Sequence, residues 1–528
     1  MALNLNIPVL KEKPIIIADT RPHKIIQSLA NLQNQTALDT ASHLHIELEI
    51  LNRQKVSASN RIQALDAYRP LLIETALALA EDYNSAALPL HDKAKLAAAA
   101  AESLWQELGY GYKLALIDLQ NQLIKIGTEK NSSYATQRAM HAVAEHAMVC
   151  YQTYVTPPQH IWGDLHQLYF CAIQLSINNI KLVSDKNETG QSTAFINTIE
   201  NTYKHALLMS LADPQHLAQK DMRLIADFLA HHVSDAQITM VTPLASTAAA
   251  FIISLKSNEP PVPFSKQKEA PDVSTDILLQ TMDLVRTIHQ HLNTLQSNQF
   301  PKDGSIPIHA SKVDYIDLLT YLIKHWGVIP KRVFNRSQKN GELELVSGLV
   351  AIHNITTSST SVPHNLEAMH SHESIAANTQ TPEGSRWQIL NISASGMSIR
   401  RHPTAEKNIK LGGLIGIKTK EEPNWSLGIV RWASCGNRDR LDIGVQLIAP
   451  QSKPAFAQFH ERNVEEMVLL IAEIVITKQA ASIIAPKGTF EPARQLTLII
   501  GDQSNQILMT RLVERTHHFE RIQYSVIS

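Results

Sequence analysis

Cysteine is scarce: the 528 residues hold three, Cys150, Cys171 and Cys435, and none stands in a C-x-x-C pair. That excludes a disulfide framework and a zinc knuckle. Net charge is also lacking. The 48 Lys and Arg nearly balance the 49 Asp and Glu, leaving a formal charge of −1 and a pI near 7.1. A neutral chain has no long-range pull on nucleic acid or anionic lipid, so an anionic ligand must be held by a few local basic residues. Aromatics make up only 5%, which suits helical layers packed through Ala and Leu. No apolar run is long enough and free enough of charge to span a bilayer. The start, MALNLNIPVLKEKP, lacks the basic-then-apolar pattern of a secretory signal. The expectation is a cytoplasmic protein. No Walker loop, dinucleotide fingerprint or G-x-S-x-G elbow occurs, so no residue is assigned to catalysis.

What is present divides by period. Residues 1–19 read as an arm, and 20–255 as a helical bundle or short solenoid without a fixed repeat. In that region Ser59 is the expected N-cap of a helix kinked at Pro70. Gly109 and Gly111 are expected to interrupt a long helix or helix pair, and Asp213 to cap the helix that begins at Pro214. AAAFIISL, from Ala248 to Leu255, reads as a strand closing the region. A Pro-rich linker, 256–272, follows, then connecting helices over 273–328, at about 275–297 and 313–326.

From residue 329 the pattern becomes short β-like runs: ELELVSGLVAIHNI, WQILNIS, LGGLIGIKT, WSLGIVRWA and LDIGVQLI, broken by Gly, Asn and Pro. These argue for a small antiparallel barrel over 329–450, with a flexible polar insertion at 356–385. Residues 451–528 carry four further strand candidates, and Glu465–Thr477 also tips toward strand by its β-branched residues. They read as a C-terminal β-rich extension or a second small β-domain. The fold class is therefore multidomain α + β.

One short cluster stands apart. In RWQILNISASGMSIR, Asn391 and Ser393 are two positions apart, so on a strand they project from one face. Gly396 permits a positive φ or close approach by another group. The competing reading is a hairpin whose Asn and Ser satisfy turn amides. At the entrance to the β region stands KRVFNRSQ, with Arg332 and Arg336 four apart. An arginine fork pairs with phosphate oxygens or with guanine O6 and N7, and its flat face stacks on a purine.

The R-x-x-x-R pair followed by N-x-S-x-x-G on the next strand resembles the PilZ domain, a bacterial receptor module for cyclic di-GMP. The closing runs LGIVRWA and IGVQL are similar to that family's last strands. The resemblance covers about residues 330–450. It implies that Arg332 and Arg336 hold guanine and phosphate, while Asn391, Ser393 and Gly396 complete the pocket. Arg336 and Asn391 are further apart along the chain than the family usually shows, and the 356–385 insertion supplies most of the excess. The function implied is a cyclic di-GMP receptor whose helical region is the output or binds a protein partner. The alternative is a non-enzymatic scaffold with a degenerate barrel that binds no nucleotide.

Other clusters carry less. His364, His370 and His372 with Glu373 lie in the insertion, without zinc spacing or a rigid frame. His231–His232 and His517–His518 are adjacent pairs whose side chains diverge. No metal or cofactor is assigned. Trp387, Trp425 and Trp432 are read as barrel core or rim, and Arg400 and Arg401 as exposed β-turn residues.

Overall fold

The computed structural model describes residues 3–527 except 33, 123–127, 183–196, 243–247, 268, 328–336, 361–383, 406–407, 423, 437–438, 460–463 and 474–478. The chain divides into two compact units. One comprises the described residues up to Gly327 apart from Ala87–Pro89. The other takes in Ala87–Pro89 and the described residues from Ser337 onward.

The first unit begins with eight helices: α1 (Pro22–Leu29), α2 (Ala37–Asn52), α3 (Ala58–Tyr83), α4 (Asp92–Gln120), α5 (Glu129–Gln152), α6 (Gln159–Gln174), α7 (Ile199–Leu211) and α8 (Gln219–His232). Three of these helices start on a hydroxyl cap. Thr36, Ser57 and Thr198 accept from the backbone N–H groups of Asp39, Asn60 and Asn201, satisfying donors that the first turn leaves open. The cap of α3 is thus Ser57, and Ser59 lies inside the first turn. Asp213 makes no side-chain cap bond. It sits at φ 56° and precedes a single 3-10 turn, Pro214–His216, with α8 starting only at Gln219.

The expected break at Gly109 and Gly111 does not occur, since α4 runs through both. Gly111 serves packing: a Cβ there would meet Leu65 of α3 at 2.6 Å, so glycine permits the two helices to approach closely, whereas a Cβ on Gly109 would make only ordinary contacts. Two charge pairs stand in the interior of this unit, whereas the buried Arg61 donates to the carbonyls of Leu51 and Gln54. Arg53 grips Glu107 with two bonds of 2.7 and 2.8 Å, and Lys113 meets Asp164 at 2.6 Å.

Beyond α8 the unit holds a four-stranded antiparallel sheet, of which the sequence pattern marks only one strand. Its strands are β1 (Gln237–Met240), β2 (Ala250–Ser254), β3 (Val262–Pro263) and β4 (Asp276–Gln280), in the order β1-β4-β2-β3. The expected strand near residue 250 is β2, and the Pro-rich segment contributes β3. DILLQ, read as the start of a helix, forms β4, in register with β2 from Asp276 to Gln280; the helix proper, α9 (Met282–Gln296), begins after Thr281, and α10 (Lys312–Trp326) follows. The Thr281 hydroxyl donates to the carbonyls of Ala249 and Trp326, and Trp326 is fully buried.

The second unit contains two closed six-stranded barrels. The first is built from β5 (Ser337–Ser347), β6 (Ser385–Ser393), β7 (Gly396–Arg401), β8 (Leu414–Thr419), β9 (Ser426–Gly436) and β10 (Arg440–Ala449), in the cyclic order β10-β7-β6-β5-β8-β9. The second is built from β11 (Lys453–Phe459), β12 (Val464–Ile471), β13 (Ser482–Pro486), β14 (Gln495–Ile500), β15 (Gln503–Arg515) and β16 (Phe519–Val526). Closure removes the free edges that small sheets otherwise expose. The second barrel resolves the C-terminal expectation in favour of a β-domain with its own core of Ala457, Ile483, Leu496, Ile507 and Ile522.

One element departs from its sequence pattern. ELELVSGLVAIHNI is not a single strand: β5 stops at Ser347, Gly348 turns at φ 91°, and α11 (Leu349–Thr360) follows. Its β-branched residues suggested strand, but tertiary burial overrides that propensity. Ile352 is fully buried in a core shared by Leu427 and Trp425 of the first barrel with Leu469 and Phe519 of the second. α11 occupies the first residues of the expected flexible insertion.

Candidate functional site

The first barrel has an apolar inside and a polar outside that follow from strand alternation. Ile389, Ile399, Ile443 and Ala433 stand in register on β6, β7, β10 and β9, all buried, and fill the interior. On β6 a bulge at Leu390 inserts one extra residue, so Asn391 rather than Leu390 pairs with Ser398. The next row therefore points away from the interior and reads Gln338, Asn391, Ser398, Gly444, Trp432 across β5, β6, β7, β10 and β9, with Ser398 and Gly444 covered. Bulges re-aim side chains in this way, and without this one Asn391 would face the core.

Asn391 is half-buried in that row, and among the described residues its carboxamide makes no hydrogen bond. Ser393 projects from the same face and donates to the carbonyl of Gly396 at 3.1 Å, closing the two-residue turn Ala394–Ser395. The turn is tied to β10 by the Leu447 N–H, which donates to Ser395 O at 3.0 Å. Gly396 does not use a positive φ. It is needed for space, because a Cβ there would lie 2.0 Å from the carbonyl oxygen of Val445. The cluster thus combines both readings: Ser393 serves the turn, and Asn391 is left to face outward.

Around this row the charges are committed. Arg400 forms a two-pronged pair with Asp442, at 2.7 and 2.9 Å, and the carboxylate holds the guanidinium charge more firmly than usual. Arg401 donates to the carbonyls of Pro403 and Ala405. Neither arginine is an exposed β-turn side chain. Arg431 donates to Gln446 at 2.7 Å and pairs with Glu514 of the second barrel.

Arg332 and Arg336 lie outside the described residues, as do His364, His370, His372 and Glu373. Ser337, the residue after Arg336, is described and pairs with Ile392, the residue between Asn391 and Ser393. Of the three tryptophans, Trp387 and Trp425 are buried. Trp432 is half-buried on the outer row, its indole lying over Gly444. Ser398, Gly444 and Trp432 belong to the candidate face and were not assigned to it from sequence. Period-two counting across the closing strands could have found Ser398 and Gly444, but the bulge after Ile389 leaves no signature. The row carries the amides of Gln338 and Asn391, the buried Ser398 and an indole, and its amides and indole suit a planar polar heterocycle.

Among the described residues no helix is long and apolar enough to cross a membrane. Three family models match in succession. They are the N-terminal domain of the cyclic-di-GMP receptor FimW over residues 23–244, its middle PilZ domain over 250–387 and 354–454, and the FimW C-terminal beta-barrel domain over 456–527. The cyclic-di-GMP receptor FimW of Pseudomonas aeruginosa is 21% identical, in an alignment covering 99% of this chain and 93% of that protein. No solved structure matches the chain. The match to the middle domain begins at residue 250, ahead of the barrel, and so takes in β2–β4, α9 and α10. The chain belongs to a PilZ-containing family, with its PilZ barrel standing between a helical N-terminal region and a second β-barrel.

Proposed function

We propose that this chain is a receptor for cyclic di-GMP, bound on the outer face of the first barrel by Arg332, Arg336, Asn391, Ser393 and Gly396. The observation that carries the site is the register of Ser337 with Ile392. It is the described residue next to Arg336, and it stands opposite the middle of the N-x-S segment. A further support is Asn391, an outward amide without a partner among the described residues. The ligand itself is suggested by the relative, which is named a cyclic-di-GMP receptor.

The division of labour follows from donor chemistry. Two guanidinium forks neutralise phosphate and read guanine O6 and N7, and each good two-pronged contact contributes about 1–3 kcal/mol. Asn391 offers both a donor and an acceptor to a base edge. Gly396 keeps the β6–β7 turn against β10. The ligand is bound and not processed. Binding signals by favouring one arrangement of the protein over another, and the helical region is the output or partner-binding part.

Titration calorimetry of the full chain with cyclic di-GMP tests this. Micromolar or tighter binding is expected, with Arg332→Ala and Arg336→Ala each weakening it tenfold or more. Unchanged affinity in both variants removes the arginines from the site. No binding at all favours a scaffold that keeps only the barrel's shape.

A further inference from the structure

The first unit holds a second cluster that the nucleotide site does not use. His232 ends α8, His291 lies on α9, and Asp303 stands in the loop that follows α9. One ligand atom from each of the three lies within 4.8 Å of the other two. Asp303 Oδ2 is 2.9 Å from His291 Nε2 and 3.4 Å from His232 Nε2.

The carboxylate is aimed by its own turn. Ser305 donates both its backbone N–H, at 3.0 Å, and its hydroxyl, at 2.8 Å, to Asp303 Oδ1. Gly304 between them takes φ 77°, which closes the turn. Oδ1 is thereby occupied and Oδ2 is left to the imidazoles. Behind His232, Asp235 Oδ2 lies 3.6 Å from its Nδ1, at ion-pair rather than hydrogen-bond distance, and that oxygen accepts from the Thr287 hydroxyl at 2.8 Å. A carboxylate behind one imidazole nitrogen while the other faces inward is the arrangement that orients metal-ligating histidines.

Hydrogen bonding leaves the cluster incomplete. His232 is only 9% exposed, and its Nε2 is buried without a hydrogen-bond partner among the described residues although it points at Asp303. A buried polar atom left unpaired is uncommon and calls for an explanation. A cation at the centre would engage both inward nitrogens and Oδ2 together. Ligands about 2.0–2.1 Å from a tetrahedral ion stand roughly 3.3 Å apart; the two separations from Asp303 are 2.9 and 3.4 Å, and all three ligand atoms lie within 4.8 Å of one another, so an ion would draw the two imidazoles together. The adjacent histidines do diverge, since His231 Nδ1 turns to Asp227 O. The chelating partner of His232 comes from another helix, which adjacency in sequence cannot reveal.

We infer that His232, His291 and Asp303 form a binding site for one Zn2+ ion, with a water in the fourth position, tying the end of α8 to α9 and to the loop after it. Two imidazoles and a carboxylate are the donor set of zinc-class ions, whereas magnesium and calcium take oxygen ligands.

The test uses the full chain, stripped with chelator and titrated with Zn2+ in a calorimeter. One ion per chain and a higher unfolding temperature with Zn2+ are expected. Asp303→Asn and His291→Gln should each lower Zn2+ affinity at least tenfold, while His289→Gln, on the exposed side of α9, leaves it unchanged. Circular dichroism checks that the variants remain folded. Independently of any variant, Co2+ should give the visible absorption of a four-coordinate ion, removable by Zn2+. The assignment falls if the wild-type chain takes up no Zn2+, if both ligand variants bind as tightly as wild type, or if Co2+ gives no Zn2+-displaceable band.

Discussion

The indole of Trp432 occupies the space that a side chain at Gly444 would need: a Cβ at 444 would lie 1.8 Å from Trp432 Nε1. Gly444 is in register with Ser398, and Ser398 with Asn391, so the ring packs onto the candidate ligand row itself. Gly444→Ala must therefore push Trp432 off the barrel. The steric conflict is with a side chain that is able to rotate, so the fold should survive at a cost of about 1 kcal/mol. Tryptophan emission should shift to the red, and cyclic di-GMP affinity should fall about tenfold. Unshifted emission would mean that the ring does not rest on Gly444.

Asn391 and Gly396 belong to one motif but should fail differently. Asn391 makes no hydrogen bond among the described residues, so Asn391→Ala should change unfolding free energy by less than about 0.5 kcal/mol and weaken cyclic di-GMP binding about tenfold. Gly396→Val forces a side chain against the Val445 carbonyl, a backbone atom held in the β7–β10 ladder. That should cost about 1–3 kcal/mol of stability. Urea titrations beside calorimetry separate the two. Equal destabilisation by both would make Asn391 a structural residue.

How the motif could be read from sequence, and where reading stopped, follows from the same residues. Asn391, Ser393 and Gly396 were legible because a strand's period of two and a turn glycine are local properties. Five of the second barrel's strands, β12 to β16, were legible for the same reason, whereas β11 (Lys453–Phe459) was not. The outer row as a whole was not: it depends on the bulge at Leu390, which brings Asn391 into line with Ser398 and Gly444 on strands distant in sequence. α11 was hidden because its helical state is set by the burial of Ile352 between two barrels rather than by its own composition. β4 was hidden because five residues, DILLQ, suit the first turn of a helix as well as a strand. Gly111 signalled a break in sequence and serves contact in space.

The shared core makes a claim about cooperativity. Ile352 is fully buried among residues of both barrels, and His353 Nε2 lies 3.2 Å from Ala455 O, at the start of the second. Ile352→Ala should cost about 2–5 kcal/mol, and the loss should be felt on both sides. Hydrogen exchange in β7 and in β13 should accelerate together. Acceleration in one barrel alone would show that the two are stabilised independently.

In the helical unit His166 predicts a pH dependence with a definite sign. Its ring lies on α6, fully buried. Nε2 is 2.8 Å from the carbonyl of Glu259, and Nδ1 is 2.6 Å from the Tyr203 hydroxyl. A carbonyl only accepts, so Nε2 carries the proton and Nδ1 accepts from Tyr203: the neutral ring satisfies both partners. Burial pulls its pKa down to about 4 against the opposing pull of the Glu259 carbonyl. The unfolded chain takes up this proton near pH 6.5, while the folded chain refuses it until about pH 4. Stability is therefore flat above pH 6.5, falls as pH drops through that window, and levels off below it. The drop amounts to about 3 kcal/mol at 1.36 kcal/mol per unit. His205, also held down to about 4 by burial, adds a change of the same sign. His166→Gln should therefore shorten the acid-side decline rather than abolish it, as read by urea unfolding at intervals between pH 7.5 and 4.5. A decline as steep as that of the wild type would place its origin in other groups.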